Sequence, residues 1–179
     1  MKIRVDDIKD VAVHLKAEEG VESFASLAAM QKAGECEFVA PVSIDIAVSR
    51  EYDHFRAHGR ARTRVRLACS RCLASYEAEI DSGFTVFYSK SAPGLQDEEE
   101  IELAEEDLVS VTFDGDEIDF SPEIEEQVMM EIPFKPLCRE ECAGLCQRCG
   151  ADLNQSECGC DRGDFNIKFS VLKNFKAER

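Results

Sequence analysis

The chain has 179 residues and a formal net charge of −16, with 37 Asp and Glu against 21 Lys and Arg. That length suits a single domain whose core needs no covalent staple, and no run approaches the roughly 20 apolar residues of a membrane helix. The opening MKIRVDDIKDVAVHL lacks the apolar stretch of a secretory signal, so a cytosolic location is expected, where nine cysteines read as metal ligands before they read as disulfides.

Residues 2–15 alternate weakly and predict one or two short strands. VESFASLAAMQKAG (21–34) reads as a helix with Phe24, Leu27 and Ala28 on one face and Gly34 at its end. Cys36 follows in a predicted strand as a buried free thiol. Val42, Ile44, Ile46 and Val48 then alternate with shorter residues, the period of a half-buried strand. YDHFRAHG suggests a turn flanked by His54 and His58, both read as surface residues. RARTRVRLA (60–68) places Arg60, Arg62, Arg64 and Arg66 on one face, and 74–88 predicts a third strand with Glu77, Glu79 and Asp81 on its polar side. If CSRC (69–72) closes a hairpin with Cys69 opposite Cys72, then Arg64 faces Glu77, Arg62 faces Glu79 and Arg60 faces Asp81. The paired arrangement is structural; arginines it leaves free, with Arg71 at the tip, are the candidates to touch phosphate.

Residues 91–131 hold 16 acidic groups and no Lys or Arg, while the rest of the chain is balanced. The run from 91 to 107 reads as a loop, either a solvated linker or a holder for a basic partner. LVSVTF (108–113) returns to strand and Asp114–Gly115 to a turn. SPEIEEQVMMEIP (121–133) reads as a helix capped by Ser121, with Pro122 in its first turn and Glu123 among the acids at its positive end. Ile124, Val128 and Ile132 form its apolar stripe, Met129 and Met130 read as packing, and Pro133 stops it. A last helix is predicted near 164–176.

Chemistry concentrates in PLCREECAGLCQRCGADLNQSECGC (136–160). Cys146-x-x-Cys149-Gly has the form of a zinc knuckle, and Cys158-x-Cys160 supplies a second pair for a tetrahedral four-thiolate site. Cys69, Cys72, Cys138 and Cys142 make a second set of four, clipping the hairpin to the C-terminal loop. Two other groupings stay open: Cys69 and Cys72 with Cys146 and Cys149, and free thiols at Cys138 and Cys142. Iron–sulfur ligation, disulfides and a redox-active Cys69/Cys72 pair are the competing chemistries. His14, His54 and His58 lie far from the cysteine loop in sequence, which argues against a catalytic zinc. No nucleophile elbow, phosphate loop or dinucleotide fingerprint occurs, and no enzyme activity is expected.

VRLACSRCLASYEAEI (65–80), EIPFKPLC (131–138) and CAGLCQRCGADLNQSECGC (142–160) together resemble the YceD family, also described as large ribosomal RNA subunit accumulation proteins. The resemblance implies a bacterial, cytoplasmic, non-catalytic factor of ribosome biogenesis. Its partners would be large-subunit precursor rRNA, a basic ribosomal protein, or both, with no membrane and no small-molecule substrate. A metal- or redox-sensing zinc protein is the alternative. The expected fold is α+β: a curved antiparallel sheet or partial barrel over 1–135 with a few helices. A cysteine-rich loop binding one or two structural zinc ions, and a C-terminal helix, would occupy 136–179.

Overall fold

In the computed structural model, residues 1–9, 11–91 and 110–160 are described. Their elements in chain order are β1 (Lys2–Arg4), β2 (Val13–Glu19), α1 (Ala25–Ala33), β3 (Glu37–Phe38), β4 (Val42–Glu51), β5 (His54–Ala68), β6 (Ser75–Lys90), β7 (Ser110–Phe113), β8 (Glu117–Asp119) and α2 (Ser121–Glu131). The main sheet is open and runs β2-β4-β5-β6-β7, with β3 added to β5; β1 and β8 form a separate pair. The architecture is α+β, mostly sheet. One departure from an antiparallel sheet is β7, which joins β6 in parallel.

Alternation produces the long strands. Along β5 every second residue is buried, from Phe55 through Leu67, and the outward positions carry the four expected arginines and Arg56. The inward residues of β4, β5 and β6 pack on Phe24 and Leu27 at the head of α1, on Ile124 and Val128 of α2, and on Ile3, Ile118 and Phe120 of the β1/β8 pair. The helices thus cover one face of the sheet. Among the described residues the other face carries its polar side chains to solvent.

Several local expectations shift. The turn before β5 is tighter than YDHFRAHG suggests: Tyr52 stands at φ 55°, Glu51 pairs with His54, and both His54 and His58 lie inside the strand. The helix expected from residue 21 begins at Ala25, after a 3₁₀ turn over Val21–Ser23. Cys36 is buried, as a free thiol, one residue before β3. Ser121 does not cap α2. The Asp119 carboxylate accepts from the Ser121 N–H at 3.0 Å, and the Ser121 hydroxyl takes the Met1 amino group at 2.6 Å. Met129 and Met130 are exposed rather than packed, and Glu123 is buried. The acidic residues 92–109 and the helix predicted near 164–176 lie outside the described residues.

The β5–β6 hairpin also differs in register. Ala68 pairs with Ser75, so the loop is Cys69–Ala74 and every partner moves by two. Arg66 faces Glu77, Arg64 faces Glu79, Arg62 faces Asp81, and Arg60 faces Gly83. A two-residue slip keeps each side chain on its face, so the amphipathic pattern could not detect it. Its cause lies in the cysteine turn.

Candidate metal centres

The loop between β5 and β6 is a knuckle rather than a tight hairpin turn. Leu73 N–H donates to the Cys69 carbonyl at 2.9 Å, Cys69 N–H donates to the Ala74 carbonyl at 2.9 Å, and Leu73 sits at φ 60°. The second Cys-x-x-Cys repeats this bond for bond. Gly150 N–H donates to the Cys146 carbonyl at 2.8 Å, Cys146 N–H donates to the Ala151 carbonyl at 2.8 Å, and Gly150 sits at φ 74°. CSRCLA and CQRCGA are therefore one turn used twice. Two cysteines so placed turn their sulfurs to the same point, and backbone N–H groups close the ring around it.

Each turn meets a second pair. The Sγ atoms of Cys69, Cys72, Cys138 and Cys142 all lie within 4.8 Å of one another, and so do those of Cys146, Cys149, Cys158 and Cys160. Cys69 and Cys142 are 3.7 Å apart, as are Cys72 and Cys138. Four sulfurs placed about 2.3 Å from a central ion stand about 3.8 Å from each other. Both tetrads could hold a metal ion, and all nine cysteines are free thiols. The grouping is the one that joins hairpin to C-terminal loop; Cys69 and Cys72 stand with Cys138 and Cys142, not with Cys146 and Cys149.

The first tetrad is walled in. Cys69, Cys72 and Cys142 are buried, and Tyr76, Leu137 and Leu145 pack around them. Ser70 N–H donates to the Pro136 carbonyl at 2.8 Å. Arg71, expected free at the tip, turns back: its guanidinium donates to the carbonyls of Glu140 at 3.2 Å and Cys142 at 2.9 Å. The Arg71 carbonyl accepts from Leu145 N–H at 3.1 Å, and a Cβ at Gly144 would stand 3.0 Å from that same carbonyl. Asn154 braces the first centre from the loop that follows the second knuckle. Its amide approaches Cys142 Sγ at 3.4 Å, and its carbonyl accepts from Ala143 N–H at 2.8 Å and from Arg139 at 2.7 Å. The second tetrad is more open, with Cys149 exposed and Cys158 and Cys160 half-buried.

Protonation within each tetrad is uneven. The N–H groups of Cys138, Cys72 and Arg71 lower the Cys69 thiol to about 6. Those of Cys149 and Arg148, with the Cys158 thiol, lower Cys146 to about 6. Burial and the neighbouring sulfurs push Cys138 up to about 12, and the Cys149 sulfur, with burial, pushes Cys160 up to about 12. One sulfur in each set ionises readily and another resists, because negative charge accumulates with nothing to neutralise it. A bound cation supplies that neutralisation and displaces the remaining protons.

The arginine face is largely compensated from within. Arg66 bonds Glu37 at 2.6 Å and Glu77 at 3.0 Å, and Arg64 lies 3.7 Å from Glu79. Arg60 grips both oxygens of Asp81 at 2.5 and 2.6 Å, and Arg62 shares that carboxylate through Nε at 3.2 Å.

The family described as large ribosomal RNA subunit accumulation protein YceD matches residues 57–176. The chain belongs to the YceD family. The YceD match begins inside β5 and takes in all eight cysteines of the two tetrads. A chloroplastic large ribosomal RNA subunit accumulation protein YCED homolog 1 of Arabidopsis thaliana is 28% identical over 158 residues, covering 77% of this chain and 49% of the relative. Its counterpart in Zea mays is 30% identical over 146 residues, covering 67% and 48%. An uncharacterized protein of Mycobacterium leprae is 30% identical over 119 residues, covering 65% and 51%. This YceD chain spans about half the length of these relatives. No solved structure matches it. Among the described residues no helix is long and apolar enough to cross a membrane.

Two features of this YceD chain escaped the sequence reading. The shared C-x-R-C-x-A of the two turns was legible in the letters alone. The trough on the open sheet face, lined by His14, Lys16 and His58 beside Arg60 and Arg62, was not, because it depends on which strands become neighbours.

Proposed function

We propose that this protein is a non-catalytic factor of ribosome biogenesis that supports accumulation of large-subunit ribosomal RNA. It does so by holding precursor rRNA, a basic ribosomal protein, or both. The observation that carries the reading is the family match over residues 57–176. Zinc is the proposed occupant of both tetrads: four thiolates in a closed tetrahedral set leave no coordination position for a substrate, the arrangement of a structural ion. The ion at Cys69, Cys72, Cys138 and Cys142 locks the hairpin to the C-terminal loop. The acidic excess of residues 91–131 suits a basic protein and the arginines of the sheet suit phosphate. The test is a tagged pull-down from lysate at moderate salt, with and without ribonuclease. Large-subunit precursor rRNA enriched only without ribonuclease is the expected result; a basic ribosomal protein retained after ribonuclease supports the protein-holding arm. Enrichment of neither overturns the reading.

The exposure of Cys149 favours a second reading, a sensor whose outer ion responds to oxidant or metal supply. A structural pair of ions resists a mild chelator and mild peroxide. Release of one ion per chain under those conditions, with the second retained, would support the sensor.

A further inference from the structure

The five outward arginines of β5 do not form a uniform stripe. Arg64 and Arg66, nearest the knuckle, are closed by Glu79, Glu77 and Glu37. The other half opens on a trough of about 420 Å³. Its floor is β4, whose outward positions there are the short Ser43, Asp45 and Ala47. Its walls are the longer side chains of the flanking strands. The register sets them in rows: His14, Ala47, His58 and Thr85 in one, and Lys16, Asp45, Arg60 and Gly83 in the next. Small residues between large ones on adjacent strands make a channel, and here the channel runs along β4.

The charges decide what it can hold. Two carboxylates beside the trough are already paired: Asp45 takes Lys16 at 2.8 Å, and Asp81 takes Arg60 and Arg62 together. Glu18 stands outward in the row of Ser43, Arg62 and Asp81, so three cations face three carboxylates and what distinguishes the trough is its unused donors. Arg62 gives Asp81 only its Nε, and its Nη groups have no partner among the described residues. His58 Nδ1 is held 3.0 Å from Thr85 Oγ1, which fixes the ring and leaves Nε2 for another partner. The trough therefore offers the free Nη donors of Arg62 and the His58 ring, groups that suit phosphate oxygens. One row further along, Phe87 is half-buried on the same face. His54 packs edge-on against it at 5.4 Å, and the Arg56 guanidinium stands 5.9 Å from its centroid. An aromatic ring on an open sheet, one strand row from His58 and three from Arg62, matches how single-stranded RNA is gripped: base on ring, backbone on cations.

We infer that the trough over β4 is a single-stranded RNA site, with a phosphodiester against Arg62 and His58 and a base stacked on Phe87. The inference rests on the rRNA reading above and names the surface that would carry it. Because few cations are free, only about two phosphates are engaged, and log K falls against log salt with a slope of about −1.4.

The test uses the full chain loaded with zinc and a labelled 12-nucleotide single-stranded oligoribonucleotide, read by fluorescence anisotropy. Each variant is first shown to keep its full metal content and thermal midpoint. Arg62→Ala combined with His58→Ala is expected to weaken binding at least tenfold, and Phe87→Leu about fivefold. Lys32→Ala, a charge change on α1 away from the face, is expected to leave it unchanged. Wild-type affinity in the trough variants overturns the inference, as does an equal loss in Lys32→Ala, which would mean attraction without a site. No binding by the wild type also overturns it. Ribosomal material in the pull-down would then leave the broader reading standing, with the contact moved to protein.

Discussion

Leu73 stands at φ 60° where its counterpart in the other knuckle, Gly150, stands at φ 74°. A leucine there crowds its own carbonyl at a cost of about 1–2 kcal/mol, and a glycine does not. Leu73 is also 68% exposed, so little burial offsets the strain. Leu73→Gly is therefore expected to stabilise the metal-loaded protein by about 0.5–1 kcal/mol, part of the relief being lost to the freer unfolded chain. Chemical denaturation at fixed zinc measures it; a destabilised variant would mean that the leucine side chain contributes more than its strained backbone costs. At this scale the site was highly legible. Cysteine spacing pointed to the two C-x-x-C pairs, because two sulfurs three residues apart reach one point whatever the fold around them, while the place of Cys138 and Cys142 stayed open until the chain was folded. Arg71 was not legible: its place in sequence said tip, and only the returning C-terminal loop supplied the carbonyls of Glu140 and Cys142 that it caps.

The strands and helices were read mainly from alternation, which gives the face of a residue but not its neighbour. Hence β5 and β6 carried the expected faces while their register differed by two. The helix α2 shows the same limit. Its Glu123 was read as an acid serving the positive helix end, yet it points into the core beside Tyr88. Neither the Tyr88 hydroxyl nor Glu123 Oε2 has a hydrogen-bond partner among the described residues. Burial raises the Glu123 carboxyl above its ordinary range and pushes the Tyr88 hydroxyl up as well. For an acid whose folded value is raised, the stabilising contribution is complete below the unfolded value and is lost as pH rises through the folded one. Stability thus declines on going from mildly acidic to neutral solution. Glu123→Gln is expected to remove that decline and to add about 1 kcal/mol at neutral pH, after allowance for screening. Melting temperatures of both proteins across pH 4–8 test this; parallel curves would count against it.

For the whole molecule, the α+β class and the pairing of a sheet body with a cysteine loop could be anticipated from local pattern. The long-range joins could not: β1 on β8, β3 continuing the edge of β5 beyond β4, and β7 running parallel to β6. Such pairings depend on which edges remain open once the hairpins form, and short strands of two to four residues carry too few letters to declare a partner. The first tetrad is a further long-range join. Cys72 and Cys138 are 66 residues apart in sequence, and that span contains β6, β7, β8 and α2. A link closing a loop of this size removes about 4 kcal/mol of chain entropy from the unfolded state. With an ion seated there, the chain is topologically a ring with two tails. A protease cut at any single peptide bond inside the ring would open it without releasing a fragment, and the two pieces would part only when the ion was taken away.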